Sequence, residues 1–486
     1  MNYLPMAAVL TPFAFALLMA VLGRDRSYVR NILALTGSFI TFLITLVMLP
    51  LLRTDGWIYS SGKFLSSPIT ISFGADSLSV FFAVIFSFCY LMAIIYSFGY
   101  IAHSHAINRY YTLMLITLGA MMGIVLTPSL VGLFLFFEVY AVAAYLLVIH
   151  EEDEFAMAAG ALFLYTAVAG GLFIFFGLAT TYFMAGRVDF FHGGYMSANP
   201  LSAAALFAFL IGFGVKAGMF PVHIWLPEAH PAAPAPFSAL LSGCGIKVGI
   251  YGLIRIIFDV YGTETVRAVS FDKVLLILAV VTILFGSALA LQQDHLKRRL
   301  AYSSVAQIGY VLLGVALLNE RALFGALFHI FSHALMKGTL FLCAGAIITQ
   351  TGKKYVSELK GIGREMPVIM LSFTLAAITM VGIPPFNAFI SKWHLALASL
   401  ESGQAILVAV LMVSSLLNAL YYFPIVIKAF LSDKGGVEVP LSFGGEISSG
   451  MLWTTALMAL LCVGFAFIQP HWPVMMASDI ASSFFK

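Results

Sequence analysis

Residues 208–255 read AFLIGFGVKAGMFPVHIWLPEAHPAAPAPFSALLSGCGIKVGIYGLIR. An apolar run carries Lys216 in its middle and is interrupted at Pro221. A polar, proline-rich connection follows, with His223, Glu228, His230, Pro231, Pro234 and Pro236. A second apolar run then carries Lys247 in its middle. A charged side chain at the centre of a bilayer costs at least about 3 kcal/mol. Two lysines kept at that cost point to ion movement, and the rest of the chain reads as machinery around them.

The chain has 486 residues, 61% of them hydrophobic and 10% charged. Soluble domains carry about 25% charged residues, so this composition belongs in lipid, as one large helical bundle. The net charge of +3 is spread over the loops and carries no nucleic-acid signature. Cys89, Cys244, Cys343 and Cys462 lie far apart inside apolar runs, without the close pairing of an iron–sulfur or zinc site. They read as small apolar residues of helices. Met1–Leu22 lacks the basic leader of a secretory peptide and reads as a first span rather than a cleaved signal.

Apolar segments of membrane length fall near 4–22, 31–52, 76–101, 110–126, 129–149, 157–184 and 203–231. Seven more follow, near 235–259, 273–291, 300–318, 322–348, 367–398, 405–431 and 450–468. The expected fold is an all-α polytopic membrane protein of about fourteen transmembrane helices. Thirteen Lys and Arg residues fall in odd-numbered loops, including Arg24, Arg109, Lys297, Arg298, Arg299 and Lys434, against six in even-numbered loops, including Lys63. That asymmetry puts the odd loops in the cytoplasm, and an even span count leaves both termini outside.

Two spans contain prolines where a helix should continue. Span seven has Lys216 five residues before Pro221, and span twelve has Gly382-Ile-Pro-Pro-Phe with Lys392 seven residues after Pro385. Broken helices at matching places in two halves mark ion sites in repeat-built transporters. The reversed order of lysine and break suits an inverted repeat of spans four to eight and nine to thirteen; kinked packing helices are the plainer alternative.

Further ionisable residues lie inside spans. Span five holds Glu138, with no other acid within ten residues on either side. Span eleven reads HIFSHALMKGTLF, with His329, His333 and Lys337 at successive i, i+4 positions on one helix face. Imidazoles titrate near neutral pH and pass protons between ring nitrogens. A zinc reading of HxxxH lacks the adjacent Glu and a third ligand, and hydrogen-bonded structural histidines are the other alternative. Unit charges about 4 Å apart interact by roughly 4 kcal/mol at an effective dielectric near 20. Contact with Glu138 would therefore decide whether Lys216 holds or releases a proton.

These residues resemble the antiporter-like proton-translocating membrane subunits of respiratory complex I, Mrp-type sodium/proton antiporters, energy-converting membrane-bound hydrogenases and formate hydrogenlyases. The resemblance covers roughly residues 76–431. Pro221-Val-His-Ile-Trp-Leu-Pro-Glu-Ala-His230, Ser238-Ala-Leu-Leu-Ser-Gly, Ile246-Lys-Val-Gly-Ile-Tyr-Gly-Leu-Ile-Arg255, His333-Ala-Leu-Met-Lys-Gly and Gly382-Ile-Pro-Pro-Phe-Asn carry it. It implies two inverted five-helix repeats with broken helices seven and twelve. The domains would be helices one to three (1–109), a first repeat (110–259), a second repeat (260–431), and a C-terminal loop with helix fourteen (432–486). Glu138 resembles the modulator of the span-seven lysine, here Lys216. Lys247 resembles the central lysine, His329, His333 and Lys337 the connecting relay, and Lys392 the release residue, where some relatives carry glutamate. Glu228 stands where many relatives have aspartate. The chain is expected to lack the lateral helix of the largest complex I subunit and the extra domains of the largest Mrp subunit.

The resemblance implies no redox cofactor or metal in this chain. The partners would be lipid, protons with or without sodium, and other membrane subunits, among them iron–sulfur, hydrogenase or quinone-site subunits. The proline-rich motif and the ISKW run look closest to hydrogenase-type subunits, with medium-sized Mrp and complex I subunits as alternatives. The expected location is a prokaryotic-type inner membrane. A stand-alone antiporter and a non-pumping scaffold for redox partners are the competing functions.

Overall fold

The computed structural model describes residues 3–23, 26–55, 58–59, 71–102, 104–432, 447–467 and 471–485. Arg24, Lys63 and Lys434, counted in the loop-charge asymmetry, lie outside the described residues, as does position 468 at the end of the last expected span. The first half runs α1 (Leu4–Leu22), α2 (Ser27–Asp55), α3 (Ser77–Tyr100), α4 (Ile107–Val125), α5 (Leu130–Val148) and α6 (Glu154–Ala185). Then come α7 (Pro200–Ala217), its second arm α8 (Leu226–Ala232) and the long α9 (Ala235–Ala268). The second half has α10 (Phe271–Gln292), α11 (Leu296–Ala316), α12 (Glu320–Thr351), α13 (Pro367–Val381), α14 (Asn387–Glu401), α15 (Ile406–Leu431), α16 (Ser449–Phe467) and α17 (Trp472–Phe484). A two-residue antiparallel ladder pairs Ile58–Tyr59 with Gly74–Ala75.

Eleven of the described helical segments are long and apolar enough to cross a membrane, and Pro367–Val381 is a shorter apolar helix. The protein is an integral membrane protein. Several helix starts are written locally. Asp76, Ser129, Asp153, Asn199 and Asn319 each accept a backbone N–H three residues on, which satisfies a donor that a helix start leaves free. Gly186, Gly218, Gly352 and Gly382 end their helices in the left-handed conformation that glycine adopts without strain. The C-terminal α17 has no counterpart in the sequence reading; its 13 residues are too few for a span, and it lies against α3 and α12.

α9 and α12 lie in the interior. The best apolar windows of α9 and α12 are wholly buried, whereas those of α1, α2, α6, α15 and α16 bury only a third of their residues. A polar pattern is therefore affordable in α9 and α12, because neither meets lipid. α9 also departs from regular α geometry over Leu241–Gly245 and Arg255–Tyr261, which form π-type turns. Glycines allow its close approach to α7: a methyl built on Gly249 would lie 2.6 Å from Ala217 N, and one on Gly252 would strike the Phe213 ring.

A buried ionic knot holds one end of α9. The Arg255 guanidinium donates to Asp76 at 2.6 and 2.7 Å, to Asp259 at 2.7 Å and to Ser79 Oγ at 2.9 Å. Asp259 also pairs with His192 Nδ1 at 2.6 Å. This ties α3, α9 and the 190–196 loop together. Arg255 and Asp259 are an i, i+4 pair legible in the sequence, but Asp76 reaches them only through the fold.

We expect Gly249→Ala to force α7 and α9 apart and to destabilise the fold by about 1–3 kcal/mol, the usual cost of overpacking. A thiol-reactive dye melt of the detergent-solubilised protein measures this; an unchanged melting temperature would contradict the close approach.

Candidate functional site

Lys216 sits in the last turn of α7, where Gly218 turns the chain and the helix stops. The end carbonyls are partly satisfied by the break itself: Gly218 N–H donates to Gly214 and Val215, and Trp225 Nε1 donates to Val215 O at 2.7 Å. The Lys216 ammonium has no hydrogen-bond partner among the described residues. It is boxed instead by rings, 4.6 Å from the centroid of Tyr140, 5.0 Å from Phe137 and 5.1 Å from Phe163. Desolvated cation–π contacts are worth up to about 2 kcal/mol each. Glu138, one helix position after Phe137, has its Oε1 buried without a partner and against Gly171 of α6. The acid and the lysine thus share a neighbourhood while neither is hydrogen-bonded to the other.

Lys247 lies fully buried in α9 and donates to Ser242 O at 2.5 Å. Ser242 belongs to the π-type turn Leu241–Gly245. A π turn shifts the helix ladder from i−4 to i−5, so a carbonyl is left for the side chain one turn later. The Ser242 hydroxyl meets Ser304 Oγ of α11 at 2.7 Å.

His329, His333 and Lys337 lie on one buried face of α12. His329 pairs with Ser391 Oγ at 2.9 Å and Gln307 Oε1 at 3.0 Å, which uses both ring nitrogens. His333 stacks on His329 with ring centroids 6.0 Å apart, and both its nitrogens are buried without partners. Lys337 donates to Leu300 O at 2.7 Å, to Ser303 Oγ and to Tyr422 OH at 3.2 Å.

Lys392, on α14, reaches back across the second break. It donates to Met380 O at 3.0 Å, Val381 O at 2.9 Å and Ser415 Oγ at 3.1 Å, over the Tyr310 ring at 4.9 Å. Met380 and Val381 end α13, so the ammonium caps the negative end of that helix dipole. Gly382, at φ +86°, lets the lysine pass: a methyl there would lie 2.8 Å from its Cδ. Phe220–Pro221 and Pro384–Pro385, at the two breaks, are both cis.

Each set of loops also lines a cavity. On the odd-loop face, a cavity of about 500 Å³ is lined by Glu151, Asp153, Lys297, Arg298, Lys354 and His295. Its wall is pinned by Arg298–Glu228 at 2.6 Å and by Lys297, which donates to Ala233 O at 2.8 Å. On the even-loop face, a cavity of about 780 Å³ is lined by Asn319, Glu320, Arg321, His394 and Glu401. Sequence reasoning missed the side chains that meet these buried groups: Tyr140, Gln307, Ser303, Tyr422, Ser391 and Ser415. A single hydroxyl in an apolar span gives no local signal, since such groups commonly bond their own helix.

A family described as "NADH:quinone oxidoreductase/Mrp antiporter, TM" matches residues 127–418, and one described as "NADH-Ubiquinone oxidoreductase (complex I), chain 5 N-terminus" matches residues 57–111. The chain is 35% identical over 388 residues to NADH-quinone oxidoreductase subunit N of Desulforudis audaxviator, covering 78% of this chain and 77% of that one. It is 27% identical over 479 residues to a Na(+)/H(+) antiporter subunit of Alkalihalophilus pseudofirmus, covering 96% of this chain and 94% of that one. A chain of the membrane-bound sulfane sulfur reductase, an archaeal respiratory membrane complex, superposes with a TM-score of 0.89 at 26% identity, covering 100% of this chain and 98% of that one.

His295 caps α11 outside the spans, accepting from Arg298 N–H at 3.4 Å through Nδ1. Burial, with the charges of Lys297, Arg298 and Lys354, pushes its ring down to about 4. An unfolded histidine titrates near 6.5, so the protonated form favours the unfolded chain. This contribution to stability is complete above about pH 6.5, declines toward pH 4 and is constant below. His295→Asn keeps a capping side chain and should flatten that part of the melting-temperature profile; a profile unchanged from wild type would contradict it.

Proposed function

The chain belongs to the NADH:quinone oxidoreductase/Mrp antiporter transmembrane family, and from that premise we propose that it carries protons across the membrane as one subunit of a multi-subunit, complex-I-related assembly. The observation that carries this reading is that Lys216, Lys247, His329, His333, Lys337 and Lys392 are all buried, with Lys216 and Lys392 at the two helix breaks. None of these charges packs a core better than an apolar residue of similar size would. A non-pumping scaffold would have no use for them.

Protons enter from the odd-loop face and load Lys216, whose ammonium is faced by three rings and has Glu138 nearby. Movement of Glu138 toward or away from Lys216 sets whether the ammonium is paired. The proton passes to Lys247, then along the His333, His329 and Lys337 face of α12, and leaves by Lys392 toward the even-loop cavity. His333 suits a relay because both its nitrogens are free of protein partners. This chain holds no redox centre in the scheme; electron transfer belongs to partner subunits carrying iron–sulfur, hydrogenase or quinone sites, and sodium is the alternative coupling ion.

Counting α7 with α8 and α13 with α14 as one broken span each makes fourteen spans, with the two repeats at 110–259 and 260–431 flanked by 1–109 and 432–486. Lys216 precedes its break and Lys392 follows its own, which suits inversion between the repeats. The termini face outward from the inner membrane of a prokaryotic-type cell. The relatives named for quinone reduction and for Na(+)/H(+) antiport support membrane-subunit partners in either setting.

Lys216→Ala should abolish proton translocation while the complex still assembles. Acidification of inside-out vesicles by the purified, reconstituted complex, driven by its own substrate or an imposed sodium gradient, measures this. Normal translocation by an assembled variant would remove Lys216 from the pathway.

A further inference from the structure

Lys216 and Lys247 stand on different helices, and no hydrogen bond of the Lys216 ammonium leads toward α9. Of the three rings that box that ammonium, Tyr140 alone carries a polar atom. Its ring centroid is 4.6 Å from Lys216 Nζ, and the side chain is wholly buried. The hydroxyl has no protein partner, although buried tyrosine hydroxyls normally have one. It abuts Gly245, so closely that a methyl there would collide with the phenol oxygen. Gly245 ends the π-type turn whose Ser242 carbonyl accepts from Lys247. The phenol therefore reaches from the face of one lysine to the turn that holds the next.

We propose that the Tyr140 hydroxyl relays the proton between Lys216 and Lys247, an inference that rests on the translocation reading above. The Lys216 ammonium gives a proton, through bridging water, to the phenol oxygen as the phenol's own proton leaves toward the neutral Lys247 amine. Tyr140 is neutral before and after, Lys216 becomes an amine and Lys247 an ammonium. Glycine at 245 is required because any side chain would occupy the place where the hydroxyl meets α9.

Tyr140→Phe tests this in the reconstituted complex. The substitution keeps the ring and its cation–π contact, and it removes a hydroxyl that makes no protein hydrogen bond, so folding is retained. Translocation should slow about tenfold or more, the scale of a lost proton-transfer group. The solvent deuterium isotope effect should rise and the pH–rate profile should shift, while assembly and melting temperature stay at wild type. Slowing with an unchanged isotope effect and pH profile would make Tyr140 a packing residue and overturn the relay. A wild-type rate would also overturn it. Lys216→Ala, measured alongside, separates the two failures: if it abolishes transport while Tyr140→Phe is silent, only the Tyr140 relay falls. If Lys216→Ala still transports, the pathway itself falls and the relay with it.

Discussion

A buried ammonium group must find oxygen acceptors or lose its charge, because water is not there to solvate it. In this protein the acceptors come mostly from main-chain carbonyls that irregular helices leave free. Lys392 takes Met380 and Val381 at the end of a broken helix, and Lys247 takes Ser242 within a π-type turn. Lys337 takes Leu300, shared with hydroxyls of the same helix turn. For Lys247 and Lys392 the departures from regular helix thus supply the acceptors of the charge. Lys216 is the exception, with ring faces and no oxygen. Its ammonium is the one of the four without an oxygen acceptor among the described residues.

Irregular backbone inside a membrane survives only where protein covers it. The architecture meets that condition by placing α9 and α12 at the centre, away from lipid. The Arg255 knot with Asp76 and Asp259 holds α9 at its even-loop end, and Arg298 with Glu228 holds the second arm of span seven at the odd-loop end. Breaking one partner of a buried pair costs about 3–5 kcal/mol, so the knot fixes the register of α9 against α3. His333, Tyr140 and Glu138 Oε1, by contrast, are buried without hydrogen-bond partners among the described residues. Guanidinium–carboxylate pairs tie the helices together, while lysine, imidazole and phenol groups lie buried between them.

The sequence by itself determined the membrane class, most of the span positions, the two breaks and the ionisable residues within spans. Each of these is written in a local signal: hydropathy over about 20 residues, proline inside an apolar run, or a charge where lipid would exclude it. The His329–His333–Lys337 face also followed from spacing alone, because i and i+4 residues must share a face. Tertiary structure decided which side chains meet. The partners of the buried ionisable groups come from four helices: Gln307 and Ser303 from α11, Ser391 from α14, Ser415 and Tyr422 from α15, and Tyr140 from α5. The π-type turn beneath Lys247 and the docking of α17 against α3 and α12 were likewise invisible, since one depends on a helix ladder shifted by its packing and the other on a segment too short to register as a span. Hydropathy and helical period act along the chain and can be read from it, whereas a hydrogen bond between two spans depends on how those helices pack, which no local pattern encodes.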